Sequence, residues 1–145
     1  MRLKFNLIAI IAVGSIILSS CKPTPSPAKT EEELQIEKLS KTWVLAAGSD
    51  AVTQDGTSVT DAWTGFTITL GDKTYQTSSS SSAEVWPANG TWSFGANVNT
   101  LVRDDGTSMT VSVTDTSILL QFDYSATGGR LNGIEGSWSF SMVPQ

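Results

Sequence analysis

The pentapeptide Gly90-Thr91-Trp92-Ser93-Phe94 returns as Gly136-Ser137-Trp138-Ser139-Phe140, and a looser echo, Lys41-Thr42-Trp43-Val44-Leu45, precedes both. In each copy a Trp and a second large apolar residue flank a smaller one. Side chains at alternate positions share a face of an extended chain, so each copy reads as a strand with one buried face. Strands of this kind in three parts of the chain bring Trp43, Trp92 and Trp138 into one interior, around which the remaining strands must be built.

The same period runs through the rest. Phe66, Ile68 and Leu70 alternate with Thr67 and Thr69; Met109, Val111 and Val113 alternate with Thr110 and Ser112; Leu120, Phe122 and Tyr124 alternate with Gln121 and Asp123; Trp138, Phe140 and Met142 alternate with Ser139 and Ser141. Ser and Thr on the outer phase suit an exposed pleated surface. Turn signals separate the runs: Asp55-Gly56, Gly71-Asp72, Asn89-Gly90, Asp105-Gly106, Gly128-Gly129 and Asn132-Gly133. The pattern predicts eight main strands at 42–47, 57–61, 64–70, 73–78, 90–95, 98–103, 108–114 and 117–124, and a closing ninth at 134–143. Many short strands with close turns give an all-β, antiparallel sandwich or up-and-down barrel. Residues 77–83 hold a run of five Ser, a loop by composition that reads as slack or as a lid over a barrel mouth.

The N-terminal stretch is of another kind. Met1-Arg2-Leu3-Lys4 is basic, Phe5 to Ile17 is mostly apolar, and Leu18-Ser19-Ser20-Cys21 follows. A charged start, an apolar core and a small-residue cleavage site make a secretory signal, and the apolar run is shorter than the ~20 residues that span a bilayer. The position of Cys21, the only Cys, resembles a bacterial lipobox, which implies lipid attachment at that sulfur and a signal peptide of residues 1–20. Residues 21–30 are Pro-rich and read as an extended tether. Thr30-Glu31-Glu32-Glu33 is a capping box opening a short helix over 31–40, with acidic residues at its start and Lys38 and Lys41 at its end. The barrel domain then occupies 31–145.

Composition excludes several chemistries. With Cys21 lipidated, no thiol remains for a disulfide, a metal site or catalysis, and the chain has no His. After the signal the balance is about −7, seven basic against fourteen acidic residues, and no basic cluster invites nucleic acid. The expected partner is a membrane, through acyl chains rather than through surface charge. Asp104-Asp105-Gly106-Thr107 offers hard oxygen ligands, but a tight hairpin turn explains it without metal. Glu84 and Glu135 have nothing to fix the spacing of a glycosidase pair, and no Ser has a His partner. The reading is therefore non-enzymatic, without metal or cofactor. Arg103 flanks a turn and suits a salt bridge to Asp104 or Asp105.

A short helix, a first strand with an early Trp and a meander of antiparallel strands resemble a lipocalin or a related small barrel, although Lys41 stands where the lipocalin Gly-x-Trp motif has its Gly. More specifically, Trp86-Pro87 before Gly90 to Phe94, followed by Arg103-Asp104-Asp105-Gly106, is similar to the lipocalin-like lipoproteins of Bacteroidetes-type bacteria, from Leu39 to Val143. The resemblance implies a lipocalin-like barrel of about eight strands, anchored in the cell envelope at the outer membrane, and no assigned activity. It also implies an Arg over the first-strand Trp, Arg103 or Arg130 on Trp43 by cation–π contact, as the alternative to the Arg103 salt bridge. A barrel of this size is either filled by side chains or holds one small ligand. The leading expectation is non-catalytic binding of a small apolar molecule among Trp43, Phe66, Trp92, Phe94, Phe122, Trp138 and Phe140, which all fall on inward phases. The alternative is a structural or adaptor lipoprotein whose surface meets envelope proteins or glycans.

Overall fold

The computed structural model describes residues 26–126 and 133–145. The signal peptide, Cys21, the first half of the tether, the Gly128-Gly129 turn, Arg130 and Asn132 lie outside the described residues.

The first element is a helix, α1 (Glu31–Leu39), opened by the expected capping box: Thr30 Oγ1 accepts from the Glu33 amide at 3.2 Å, and the Glu33 carboxylate accepts from the Thr30 amide at 2.7 Å. These two bonds satisfy donors that a helix start leaves free. Ten strands follow: β1 (Thr42–Leu45), β2 (Val52–Gln54), β3 (Thr57–Ser58), β4 (Thr67–Leu70), β5 (Thr74–Ser78), β6 (Asn89–Phe94), β7 (Thr100–Arg103), β8 (Ser108–Val113), β9 (Ile118–Tyr124) and β10 (Gly136–Pro144). β1 pairs with β4, then each stave pairs with the next through β10, and β10 returns to β1. Eight antiparallel staves thus close an all-β barrel, the up-and-down form of the two that the alternation allows and the lipocalin-like class that the resemblance implies.

The eight are not the predicted eight. The expected strand 57–61 stays outside the ring: β2 and β3 form a small hairpin on β10, and Thr60–Trp63 turns into a 3-10 helix. Thr60 causes the break. Its hydroxyl accepts from the Val52 amide at 2.9 Å and donates to the Val52 carbonyl at 3.2 Å, so a side chain takes the place of a ladder partner. The predicted closing strand is the eighth stave instead. β1 and β2 run the same way along β10. Leu45 faces Met142 and Val52 faces Phe140, so seven steps on one side match two on the other, and five residues leave the ladder between them.

Both glycines of the Gly-x-Trp repeats are structural. A Cβ on Gly90 would lie 2.6 Å from the Tyr75 hydroxyl, because the Tyr75 ring packs across the bare backbone of its cross-strand partner. Gly136 has a φ of +125°, and a Cβ there would meet the Asp55 carboxylate, which accepts from the Ser137 amide at 2.8 Å.

Candidate functional site

The barrel interior is the site that the sequence nominates. The structure places Trp43, Phe66, Trp92, Phe122, Trp138 and Phe140 inside it, each at most 5% exposed, while Phe94 is half-buried against the core. Phe122 and Phe140 stack with centroids 6.0 Å apart, Trp138 lies over Phe140 at 5.9 Å, and Trp92 meets Phe94 edge-on at 5.2 Å.

Two further indoles share this space, and neither is on a stave. Trp63 comes in from the 3-10 turn and packs edge-on against Phe66, Trp138 and Phe140 at 5.0–5.6 Å. Trp86 comes in from the connection 79–88 between β5 and β6 and meets Phe66, Tyr75, Phe122 and Phe140 at 5.6–6.1 Å. The period-two argument missed both because they stand in segments with no period. The available signal was the surplus itself: five Trp in the chain and only three on strand phases.

The two ends of the barrel are closed differently. At one end lie α1 and the turns around 71–73, 95–99 and 114–117. Leu39 is fully buried there, the Trp43 indole N–H donates to the Leu39 carbonyl at 3.0 Å, and the Gln35 amide donates to Asn99 at 3.3 Å. Lys41 reaches the Asp115 carbonyl at 3.1 Å and lies 5.5 Å above the Trp43 ring. The cation on Trp43 is thus Lys41 rather than Arg103. At the other end are the 3-10 turn, the 79–88 connection and the 104–107 turn.

Arg103 points inward from the end of β7 and is 2% exposed. Its Nε and Nη2 donate to the Asp105 carboxylate at 3.3 and 2.5 Å, Nη2 also reaches Thr107 Oγ1, and Nη1 donates to the Val85 carbonyl at 2.7 Å. The guanidinium lies over the Trp86 ring at 4.9 Å and near Phe122 at 5.6 Å. Stacking and ion pair, expected as alternatives, are both made, with Trp86 as the ring. Burial alone would raise the Asp105 pKa, but hydrogen bonds from Arg103 and Thr107 outweigh it and hold the carboxyl below the usual carboxylate range. Burial pushes the Tyr75 phenol above its ordinary value, the nearby Asp104 and Asp105 adding to it and Arg103 opposing. The Tyr75 hydroxyl and the Trp86 indole N–H are buried without a hydrogen-bond partner among the described residues.

These side chains pack into one core cluster. Between Tyr75, Trp86, Trp92, Arg103 and Met109 the space left is about 10 Å³, too small for any molecule beyond a water. The Ser run is braced rather than slack: the Ser80 hydroxyl lies within hydrogen-bond reach of the Ser82 and Trp86 carbonyls, at 2.8 and 2.9 Å, and can donate to either, and the Trp86 amide donates to the Ser82 carbonyl at 2.9 Å. The carboxylates weighed for chemistry are used locally. Asp104 accepts from the Thr91 amide, Glu84 from Ser82 and Glu135 from the Ala126 amide. Among the described residues no group of three or more acidic, Cys or His side chains is placed to hold a metal.

The outside of the barrel is polar and almost uncharged. The eight staves carry two charged residues, Arg103 facing in and Asp123 facing out. Across β2, β10, β9, β8 and β7 the register aligns Thr53, Ser139, Gln121, Thr110 and Thr100 in one row. Four of these, all but Thr100, line an open depression of about 550 Å³ with Ser108, Ser137 and Asp123. Comparison with family models, with curated proteins and with solved structures finds no match for the chain.

Proposed function

We propose that this chain is a lipid-anchored, non-catalytic domain of the cell envelope that works through the outer surface of its barrel, as a structural or adaptor lipoprotein of the lipocalin-like kind. The observation that carries the reading is the filled interior: in the closed barrel the residues expected to line a ligand cavity are each other's packing partners. In that closed form the space between Tyr75, Trp86, Trp92, Arg103 and Met109 is too small for an apolar ligand. The outer row of hydroxyl and amide groups offers donors and acceptors without strong charge. That surface suits hydrogen bonding to glycans or to the backbone of an envelope protein more than ion pairing or oily burial. The anchor is Cys21, with the Pro-rich segment holding the domain off an outer membrane.

Native mass spectrometry of the protein purified from its own envelope tests this reading. A co-purifying glycan or protein, lost when Gln121→Glu and Thr110→Asp place charge in the row, is the expected result. A stoichiometric apolar small molecule retained by the wild-type protein overturns it. Anchoring is checked separately. Cys21→Ser should move the protein into the soluble envelope fraction or block its processing, and processed Cys21→Ser protein that stays on the membrane refutes lipid attachment.

A further inference from the structure

Trp86 reaches the core by a route unlike that of the stave aromatics. The connection that carries it, 79–88, is closed at its neck by the Thr77 amide on Ala88 at 2.8 Å and the Thr77 hydroxyl on Pro87 at 2.9 Å. Its other bonds are internal, through Ser80 and Ser82. Beyond the neck, its hold on the barrel is the burial of Val85 and Trp86 and one hydrogen bond, from Arg103 to the Val85 carbonyl. Such a unit can lift as one body about its neck. The Trp86 ring also fits its seat only in part. Its apolar faces are matched by Phe66, Phe122 and Phe140, but its N–H finds no acceptor, and the Tyr75 hydroxyl in the same wall finds none either. The Tyr75 hydroxyl can donate or accept, but the indole N–H is not placed to donate to it, so the hydroxyl proton and the indole N–H are both left without an acceptor among the described residues.

We propose that Trp86 is a built-in occupant of a binding seat. When connection 79–88 lifts, that seat takes one flat aromatic ring system of about indole size bearing a hydrogen-bond acceptor. The acceptor, in the plane of the ring, faces the Tyr75 hydroxyl, the Arg103 guanidinium stays over the ring face as it does on Trp86, and the ring takes the edge and face contacts that Trp86 makes with Phe66, Phe122 and Phe140. This goes beyond the surface role, since it concerns the interior in an opened form. The closed form lowers the apparent affinity by the fraction of time that the seat is free, so emptying the seat should raise it.

Quinoline and naphthalene, alike in shape and differing by one acceptor nitrogen, are the probes. In Trp86→Ala, quinoline should bind at least about tenfold more tightly than in the wild type, followed by NMR shifts of the amides in β5, β7 and β9. It should also bind several-fold more tightly than naphthalene, and Tyr75→Phe in the same background should abolish that preference. In the wild-type protein, saturating quinoline should speed hydrogen exchange at residues 83–88 and leave the stave amides unchanged. The proposal is overturned if folded Trp86→Ala takes up neither probe or binds both equally, or if residues 83–88 exchange only with global unfolding. Should Trp86→Ala not fold, Trp86→Leu opens a smaller space and is read in the same way.

Discussion

The two ends of the barrel do the same job with opposite means. At the α1 end a local element, capped by its own residues, lays Leu39 across the opening, and the buried Trp43 indole N–H there has a carbonyl to meet. At the other end the opening is stopped by indoles that arrive from irregular segments. One of them keeps an unpaired N–H, and a buried guanidinium holds the assembly together. Closure by secondary structure satisfies its polar groups as it forms. Closure by inserted side chains gains apolar burial first and leaves polar groups to find partners in what remains.

Emptying each end in turn is the strongest way to break this contrast. Trp43→Ala should cost about 3–5 kcal/mol, the usual range for removing a buried aromatic, because a fully buried ring and its hydrogen bond to the Leu39 carbonyl are lost together. Trp86→Ala should cost less, about 2–3 kcal/mol, since an unsatisfied N–H leaves with the ring. Urea unfolding of the two variants measures both, and equal losses would erase the distinction.

The ion pair sharpens the same point. Asp105→Asn leaves the Arg103 charge buried with no counter-charge and should cost about 2 kcal/mol at neutral pH, less than for a fully buried pair because Asp105 is partly exposed. The sign with pH follows from its lowered pKa. The contribution is fully present above the ordinary carboxylate range and is lost as pH falls through the depressed value in the fold. The stability gap between wild type and Asp105→Asn should therefore narrow on acidification, and a gap that widens refutes the assignment.

Two smaller effects set the scale. Thr30→Ala removes the helix cap and should cost about 1 kcal/mol, with faster hydrogen exchange confined to α1. Ser139→Ala, on the outer phase between Trp138 and Phe140, should stay within about 0.5 kcal/mol. A loss at Ser139 like that at Trp43 would mean that the inward and outward phases are reversed.

What could be read from the sequence divides along the same line. Helix α1 was legible because a capping box is a local instruction. The staves were legible because period two reports a buried face wherever four or more residues alternate, as in β8 and β9. The hairpin β2–β3 and the 3-10 turn were not. Val52-Thr53-Gln54 is too short to show a period, and the Thr60 hydroxyl overrides an extended reading of 57–61 through a bond eight residues back. Trp63 and Trp86 were hidden for a related reason: no periodicity says which way a loop residue faces. Arg103 was singled out correctly, but its ring partner lies 17 positions away in the sequence and is fixed only by closure of the whole barrel.

The return of β10 to β1 has a consequence for how the chain folds. Trp43 is opposite Pro144, and the Gln145 amide donates to the Thr42 carbonyl at 2.9 Å. The seam joins residues about as far apart in sequence as the domain allows, whereas most other ladders link neighbours through short turns. Bringing distant segments together costs loop entropy before any contact repays it. The meander from β4 to β9 can therefore assemble early, but the ring stays an open sheet with two bare edges until the last residues are in hand. Linking Gln145 to Thr30 by a short linker and cutting the 114–117 turn would leave only α1 between the two strands of the seam. Such a permutant should fold faster than the natural order while keeping the same barrel.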